Sequence, residues 1–115
     1  MSRRRVVITG LGALTPIGKS TPEFWNGLIS GKSGVRNIDS FDVSLFATHF
    51  AAQIENYNPE DYFDKKTHRR LDRFCQYALI ASDEAVKDSG INLETIDVDR
   101  VSVLIGSGIG GFGTF

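Results

Sequence analysis

Basic side chains crowd one short stretch of the chain, and their chemistry indicates a binding surface for anions. Five of the 13 lysines and arginines lie between residues 65 and 73. This basic cluster consists of Lys65, Lys66, Arg69, Arg70 and Arg73. A guanidinium group can pair with a carboxylate or a phosphate through two parallel hydrogen bonds. We interpret the cluster as a docking surface for an acidic partner. The alternative is a solvated face, relieved by Asp61, Asp64 and Asp72.

Two glycine-rich stretches each follow an apolar run. Gly106, Gly108 and Gly111 match the G-x-G-x-x-G spacing that brings a backbone close to a pyrophosphate at a helix N-terminus. Only four residues follow Gly111, too few for the helix and the ribose-binding acid of a dinucleotide site. A second near-match at Gly10–Thr15 is interrupted by Pro16. Dinucleotide binding is therefore the weaker alternative, and we expect these glycines to permit close backbone packing or to line a narrow pocket.

The lone cysteine and the two histidines form no recognisable catalytic or metal-binding set. Cys75 lies between Phe74 and Ala78 on an apolar face, which favours an inert buried thiol over a nucleophile. His49 and His68 lack metal-ligand spacing, and no Ser/His/Asp or Cys/His arrangement can be assembled. The sequence therefore presents no complete active site. A single cysteine also excludes an intrachain disulfide and fits a reducing compartment.

The element expected to carry the basic cluster is one long helix from Asp64 to Gly90. Asp64 is a suitable N-cap, and Gly90 fits the left-handed position at the C-terminal end. Apolar and small residues recur at helical spacing on the side away from Lys66, Arg69 and Arg70. They are Leu71, Phe74, Cys75, Ala78, Ser82, Ala85 and Val86. Because cations near a helix N-terminus are unfavourable by about 0.3–1 kcal/mol each, we infer that function, and not stability, placed them there.

The remaining pattern predicts an α/β fold. The β-branched runs at Arg5–Thr9 and Val101–Ile105 are typical of strands buried on both faces of a parallel sheet. A helix is expected after Thr21 as N-cap, with Pro22 at its first position and Trp25 facing inward. Three further segments are expected: an irregular loop at 33–44, an extended segment at 46–54 and a short helical turn at 58–62.

The composition fits one ordinary soluble domain. The chain has 115 residues, of which 41% are hydrophobic, and its 13 basic and 14 acidic residues give a net charge of −1. This balance argues against a general nucleic-acid or membrane binder. The N-terminal apolar run superficially resembles a signal peptide, but Gly10, Gly12 and Pro16 interrupt it. No apolar run is long enough to cross a bilayer.

Seven short motifs together carry a resemblance to a known family. They are Arg4–Gly12, Thr15–Gly18, Gly31–Gly34, Phe41–Asp42, Arg73–Phe74, Asp88–Gly90 and Ile105–Gly111. Along its whole length the chain closely resembles the N-terminus of the condensing enzymes of fatty-acid synthesis, specifically those of the β-ketoacyl-acyl-carrier-protein synthase II type. The resemblance implies a thiolase-like layered α/β fold. Residues 1–115 would then be the beginning of its N-terminal half, and incomplete as a domain.

The resemblance also implies an activity. Such enzymes transfer an acyl group from acyl carrier protein to a cysteine, then join it to malonyl carrier protein by decarboxylative Claisen condensation. In the family this cysteine and two histidines lie beyond residue 115, so we expect no catalytic residue in this chain, and Cys75 does not correspond to the nucleophile. The resemblance further implies a cytoplasmic homodimer without cofactor or metal. Its partner would be the acidic acyl carrier protein, and neither nucleic acid nor membrane.

Two features carry over residue by residue. Lys66, Arg69 and Arg70 match basic positions that contact the carrier protein in relatives, and Ile109 matches the acyl-pocket residue whose bulk limits chain length. The leading alternative is a non-catalytic binding subunit of the same fold, such as a chain-length factor, which a glutamine in place of the nucleophilic cysteine would indicate. The isolated 115-residue chain is expected to be inactive and poorly folded, because its two strands lack partners.

Overall fold

The computed structural model describes residues 3–111. These residues divide between two compact units. One unit comprises residues within Met1–Gly12 and Pro59–Phe115, and the other is Ala13–Asn58. Helices and short strands occur in the order α1 (Thr21–Ile29), β1 (Val35–Asn37), β2 (Phe50–Ala52), α2 (Lys65–His68) and α3 (Arg73–Ser89). Two 3₁₀ turns, Pro59–Asp61 and Val98–Arg100, precede α2 and follow α3.

Helix α1 begins one residue earlier than the sequence predicts. Its N-cap is Ser20, not Thr21, and the Ser20 hydroxyl accepts a hydrogen bond from the backbone N–H of Glu23 at 3.4 Å. The expectation that Trp25 faces inward is wrong, since that residue is 61% exposed. Helix α1 contacts the preceding loop at Gly27, where an added Cβ would lie 2.9 Å from the carbonyl oxygen of Ile17. The absence of a side chain at Gly27 permits this close backbone contact.

A small antiparallel pair lies where the sequence predicts an irregular loop. Strands β1 and β2 pair with Val35 opposite Ala52 and Asn37 opposite Phe50. The prediction of a loop over 33–44 is therefore wrong at β1, whereas the extended segment at 46–54 is confirmed at β2. Strands of three residues are too short for a period-2 pattern to be recognised.

The two runs predicted to be buried parallel strands, Arg5–Thr9 and Val101–Ile105, form no strand in the described structure. Val6 is 89% exposed and Leu104 is 97% exposed. A strand exists only when another strand accepts and donates its backbone hydrogen bonds, and neither run has such a partner within residues 3–111. The two runs have the composition of strands, but within the described residues they do not pair as strands.

The long helix predicted from Asp64 to Gly90 is divided into α2 and α3. Both predicted ends are confirmed: Asp64 caps α2, and Gly90 ends α3 with a left-handed φ of 63°. The division falls at residues 69–72, where Asp72 has an extended backbone with φ −61° and ψ 156°. The prediction of one unbroken helix is therefore wrong at this point.

The N-terminal segment lies against α3 through two glycines. An added Cβ at Gly10 would lie 2.6 Å from the backbone nitrogen of Ser89, and one at Gly12 would lie 2.9 Å from that of Ala85. The backbone N–H of Leu11 donates a hydrogen bond to Oδ2 of Asp88 at 2.9 Å. The interpretation that these glycines permit close backbone packing is confirmed for Gly10 and Gly12.

The described residues contain no fully buried apolar side chain. Large apolar side chains of both units are instead widely exposed. Burial of apolar surface is the dominant favourable term in folding, so residues 3–111 hold little of the core that a stable domain needs. No helix in this part of the chain has the length and apolar character that a membrane span requires.

Candidate functional site

The basic cluster occupies α2, the connection after it and the first residue of α3. Lys65 and Lys66 lie in α2, Arg69 is its C-cap residue, Arg70 lies in the connection, and Arg73 begins α3. The structure thus brings the predicted docking residues Lys66, Arg69 and Arg70 into one turn of helix and the residues that immediately follow it.

The three predicted docking residues present free charge to solvent. Lys66, Arg69 and Arg70 are all exposed, and none of them forms an ion pair with another residue in 3–111. An exposed cation without an internal partner can pair with a ligand without first breaking an ion pair within the protein. Relief by ion pairs with Asp61, Asp64 and Asp72 is not observed at these three positions. Exposed cations fit both a docking surface and a solvated face, so docking stays a prediction.

Asp64, the acid that immediately precedes the cluster, forms hydrogen bonds at the start of α2. Its Oδ1 accepts hydrogen bonds from the backbone N–H groups of Lys66 at 2.9 Å and Thr67 at 3.0 Å, and its Oδ2 accepts one from the Thr67 hydroxyl at 2.6 Å. The Thr67 hydroxyl, followed by the Thr67 backbone N–H, holds the pKa of Asp64 below its ordinary value. The carboxylate of Asp64 therefore caps α2 and does not neutralise the arginines.

The division of the helix changes the electrostatic reason for the cluster. Helix α2 is a single turn that ends at His68, so its C-cap residue Arg69 lies at a helix C-terminus, where a cation is favourable, whereas Lys66 is its second residue. The expectation that Lys66, Arg69 and Arg70 oppose the dipole of one long helix is therefore wrong. Two members of the cluster lie at helix N-termini: Lys65 is the first residue of α2, and Arg73 is the first residue of α3. Exposure and the absence of internal pairing now carry the docking interpretation.

Ile109, the predicted acyl-pocket residue, is 82% exposed. It lies in the glycine-rich loop next to Gly110, whose φ is 76°. An added Cβ at Gly110 would be 3.8 Å from the Phe74 ring, whereas Gly106 and Gly108 have nothing within 4 Å. Close packing is therefore not observed at Gly106 and Gly108, and the role of Ile109 in a pocket stays a prediction.

Each residue considered for catalysis or metal binding has local contacts of its own. Cys75 is half-buried on α3, so it is less covered than the sequence predicts. The Nε2 atom of His49 lies 2.6 Å from the carbonyl oxygen of Phe46. Nε2 of His68 lies 3.8 Å from a carboxylate oxygen of Glu60. Among residues 3–111 no group of three or more histidine, cysteine and acidic side chains is placed to hold a metal.

A surface cavity of about 310 Å³ lies in the Ala13–Asn58 unit, and the sequence analysis did not anticipate it. Its lining residues are Ile17, Glu23, Asn26, Gly27, Ser30 and Lys32. The Lys32 ammonium donates a hydrogen bond to the carbonyl oxygen of Ile17 at 3.3 Å. Because its lining combines one helix face with a loop, no local sequence motif marks it.

Solved structures place this chain among the ketosynthases. An ishigamide ketosynthase/chain length factor is 34% identical with a TM-score of 0.70, covering 81% of this chain and 23% of that one. A β-ketoacyl synthase from Burkholderia phymatum STM815 is 29% identical with a TM-score of 0.63, covering 84% of this chain and 24% of that one. The fold class is accordingly the thiolase-like layered α/β fold, as the sequence predicts, and the described residues form an N-terminal part of it.

Curated relatives and a family model agree with this assignment. A 3-oxoacyl-[acyl-carrier-protein] synthase 2 of Staphylococcus aureus (strain COL) is 46% identical over 112 residues, which is 97% of this chain and 27% of the relative. One of the same description from Vibrio cholerae is 43% identical over 111 residues, 96% of this chain and 27% of the relative. The family model for the N-terminal domain of β-ketoacyl synthases matches residues 3–114. The chain belongs to the β-ketoacyl synthase family, and it spans about 27% of the length of the curated relatives it matches.

Proposed function

We propose that this chain is the N-terminal part of a β-ketoacyl-acyl-carrier-protein synthase that elongates acyl chains by decarboxylative Claisen condensation. The observation that carries the proposal is the exposed basic cluster on α2 and the connection that follows, in a chain of the β-ketoacyl synthase family. The curated relatives are named for their action with acyl carrier protein. The complete enzyme is proposed to act as a cytoplasmic homodimer.

Carrier docking is assigned to Lys66, Arg69 and Arg70. An acidic carrier protein would meet three side chains whose charges are not consumed by internal ion pairs. Charge complementarity of this kind raises the rate of encounter and fixes orientation. Arginine is suited to this role because its planar guanidinium pairs with carboxylates or phosphates through two hydrogen bonds.

The glycine-rich loop is assigned to the acyl pocket. Ile109 is proposed to limit the length of the acyl chain by its bulk, since a larger side chain at the end of an apolar pocket excludes longer substrates. Its exposure within residues 3–111 leaves its side chain available to line a surface completed by the rest of the enzyme. The nucleophilic cysteine and the two assisting histidines are proposed to lie in the remaining length of the protein.

A chain-length factor is the second candidate. The similar solved structure that is 34% identical is described as a ketosynthase/chain length factor, so both kinds of subunit fit this fold. A factor would bind the same carrier protein without forming an acyl-enzyme. The residue at the nucleophile position separates the two: cysteine indicates a synthase, and glutamine indicates a factor. Dinucleotide binding has no support from the family.

The test is a condensation assay with the complete protein. The protein is incubated with acyl carrier protein that bears a radiolabelled acyl group, followed by malonyl carrier protein. We expect label on the protein in the first step, then release of CO₂ and a ketoacyl product. Cys75→Ser should leave both steps intact, because Cys75 is a half-buried residue of α3 and not the nucleophile. Carrier binding without label transfer would overturn the synthase assignment in favour of the factor.

A further inference from the structure

Gln76 is the only buried polar side chain among residues 3–111, with 4% of its surface exposed. It lies in the first turn of α3, next to Cys75. Burying an amide in a protein is costly unless its hydrogen-bonding groups find partners. A buried glutamine is therefore expected to form hydrogen bonds that hold particular groups in place.

The partners of Gln76 are two backbone carbonyls on either side of the docking arginines. Its Nε2 atom donates hydrogen bonds to the carbonyl oxygen of His68 at 3.0 Å and to that of Leu71 at 2.7 Å. These carbonyls immediately precede and follow Arg69 and Arg70 in the chain. Carbonyls at the C-terminal end of a helix lack an intrahelical donor, so the Gln76 amide supplies donors where α2 ends.

One of the backbone hydrogen bonds in the connection between α2 and α3 is long, so the Gln76 amide contributes to holding this connection in place. The backbone N–H of Leu71 reaches the carbonyl oxygen of His68 at 3.4 Å, which is long for such a bond. The backbone N–H of Arg70 reaches the carbonyl oxygen of Thr67 at 3.0 Å. The carbonyl oxygen of Leu71 accepts a short hydrogen bond from the side chain of Gln76, at 2.7 Å. The path of the backbone from α2 to α3 therefore depends on Gln76.

We propose that Gln76 is a positioning residue for carrier docking: it fixes the connection between α2 and α3 so that Arg69 and Arg70 are held outward in one arrangement. The inference rests on the proposed docking function of these arginines. Gln76 is itself buried and touches no ligand. Its effect on affinity comes from pre-organisation, because a binding surface that is already ordered loses less conformational entropy when the partner arrives.

The test compares carrier-protein affinity of the complete enzyme with that of Gln76→Met, which keeps the side-chain length and removes the amide. We expect Gln76→Met to weaken binding by about five- to tenfold. In a background of Arg69→Ala with Arg70→Ala, the same substitution should cause no further loss, because it acts through those arginines. Gln53→Met is the matched control, since Gln53 lies in the other unit and donates to the Ser40 hydroxyl.

Limited digestion by trypsin gives a readout that does not involve the carrier protein. Trypsin cleaves after arginine, so a loosened connection should be cut faster after Arg69 and Arg70 in Gln76→Met than in the parent enzyme. Gln76→Asn, which shortens the side chain by one methylene, is expected to act in the same direction and serves if Gln76→Met does not fold. An equal loss of affinity in the presence and absence of the arginines, or unchanged cleavage, would overturn the positioning role. Unchanged affinity of the double arginine variant alone would overturn the docking function instead.

Discussion

The hydroxyl of Thr67 donates a hydrogen bond to Oδ2 of Asp64 at 2.6 Å. Together with two backbone N–H donors, this contact commits the Asp64 carboxylate to the start of α2. An acid that could have neutralised the basic cluster is thereby used to build the helix that carries it. The Asp64 carboxylate thus begins α2 and forms no ion pair with Lys66, Arg69 or Arg70.

The capping contact predicts a pH dependence of stability. Because Thr67 lowers the pKa of Asp64 in the folded state, the cap contributes stability that is fully present above the unfolded pKa of about 4 and is lost as the pH falls through the lower folded value. We expect Asp64→Ala to lower the Tm of the complete enzyme by roughly 1–2 °C at pH 7. The difference should shrink at pH 3.5 and below.

Thr67→Val provides the matched comparison for this effect. It removes the hydroxyl donor and keeps the backbone donors, so part of the pH-dependent difference should remain. Melting curves recorded by circular dichroism between pH 7 and pH 3 measure both variants. A Tm difference between the parent and Asp64→Ala that stays constant over this range would contradict the role of the charged cap.

Close packing at Gly12 predicts that a single methyl group is destabilising. An added Cβ would lie 2.9 Å from the backbone nitrogen of Ala85, and backbone cannot move aside as a flexible side chain can. We expect Gly12→Ala to destabilise the complete enzyme by about 1–3 kcal/mol. Chemical denaturation measures the change, and Gly106→Ala is the comparison because nothing described lies within 4 Å of it. Equal midpoints for Gly12→Ala and the parent would refute the packing argument.

Predictions of features that depend on neighbouring residues are confirmed. Predictions of features that depend on residues far apart in the sequence are wrong. Asp64 and Gly90 mark helix ends through local chemistry, and both ends are confirmed. The division at 69–72 was missed because Leu71 and Phe74 keep the helical period. The break is associated with the buried amide of Gln76, whose role hydropathy does not reveal.

The prediction of strand pairing is wrong for the same reason, because pairing depends on residues far apart in the sequence. The run Val101–Ile105 has strand composition, yet a strand needs a second backbone, and the sequence does not say which segment supplies it. The opposite error occurred at β1, which pairs with β2 although a strand of three residues carries almost no periodic signal. The basic cluster can be recognised in the sequence because charge belongs to each residue, and its docking role stays a prediction. The placement of Ile109 in a pocket depends on surfaces beyond its own loop.

A larger side chain at Ile109 is predicted to shorten the accepted acyl chain. Ile109→Phe in the complete enzyme should lower kcat/KM for the longest accepted acyl chains by about tenfold or more and spare the shortest ones. Ile109→Val is the conservative control and should keep the parent preference. Because the residue is exposed in this part of the chain, it is not required for local packing. A uniform loss across all chain lengths would contradict a role in chain-length selection.

The isolated 115-residue polypeptide is predicted to lack a cooperative unfolding transition. Its described residues bury no apolar side chain, so little favourable free energy offsets the conformational entropy of ordering the chain. Calorimetry of the purified polypeptide should give a broad, featureless trace, and a hydrophobic dye should bind to it. A sharp transition with matching calorimetric and van't Hoff enthalpies would refute this prediction.

The most direct measurement is the affinity of the complete enzyme for acyl carrier protein as a function of salt, with and without Arg69→Glu and Arg70→Glu. We predict that the double charge reversal weakens binding at low ionic strength by at least about tenfold and flattens the salt dependence, because exposed charge pairs are screened by salt. Arg100→Glu, a substitution of an exposed residue in the 3₁₀ turn after α3, should leave the affinity and its salt dependence unchanged. Affinity of the double variant equal to that of the parent at low salt would contradict docking at the basic cluster.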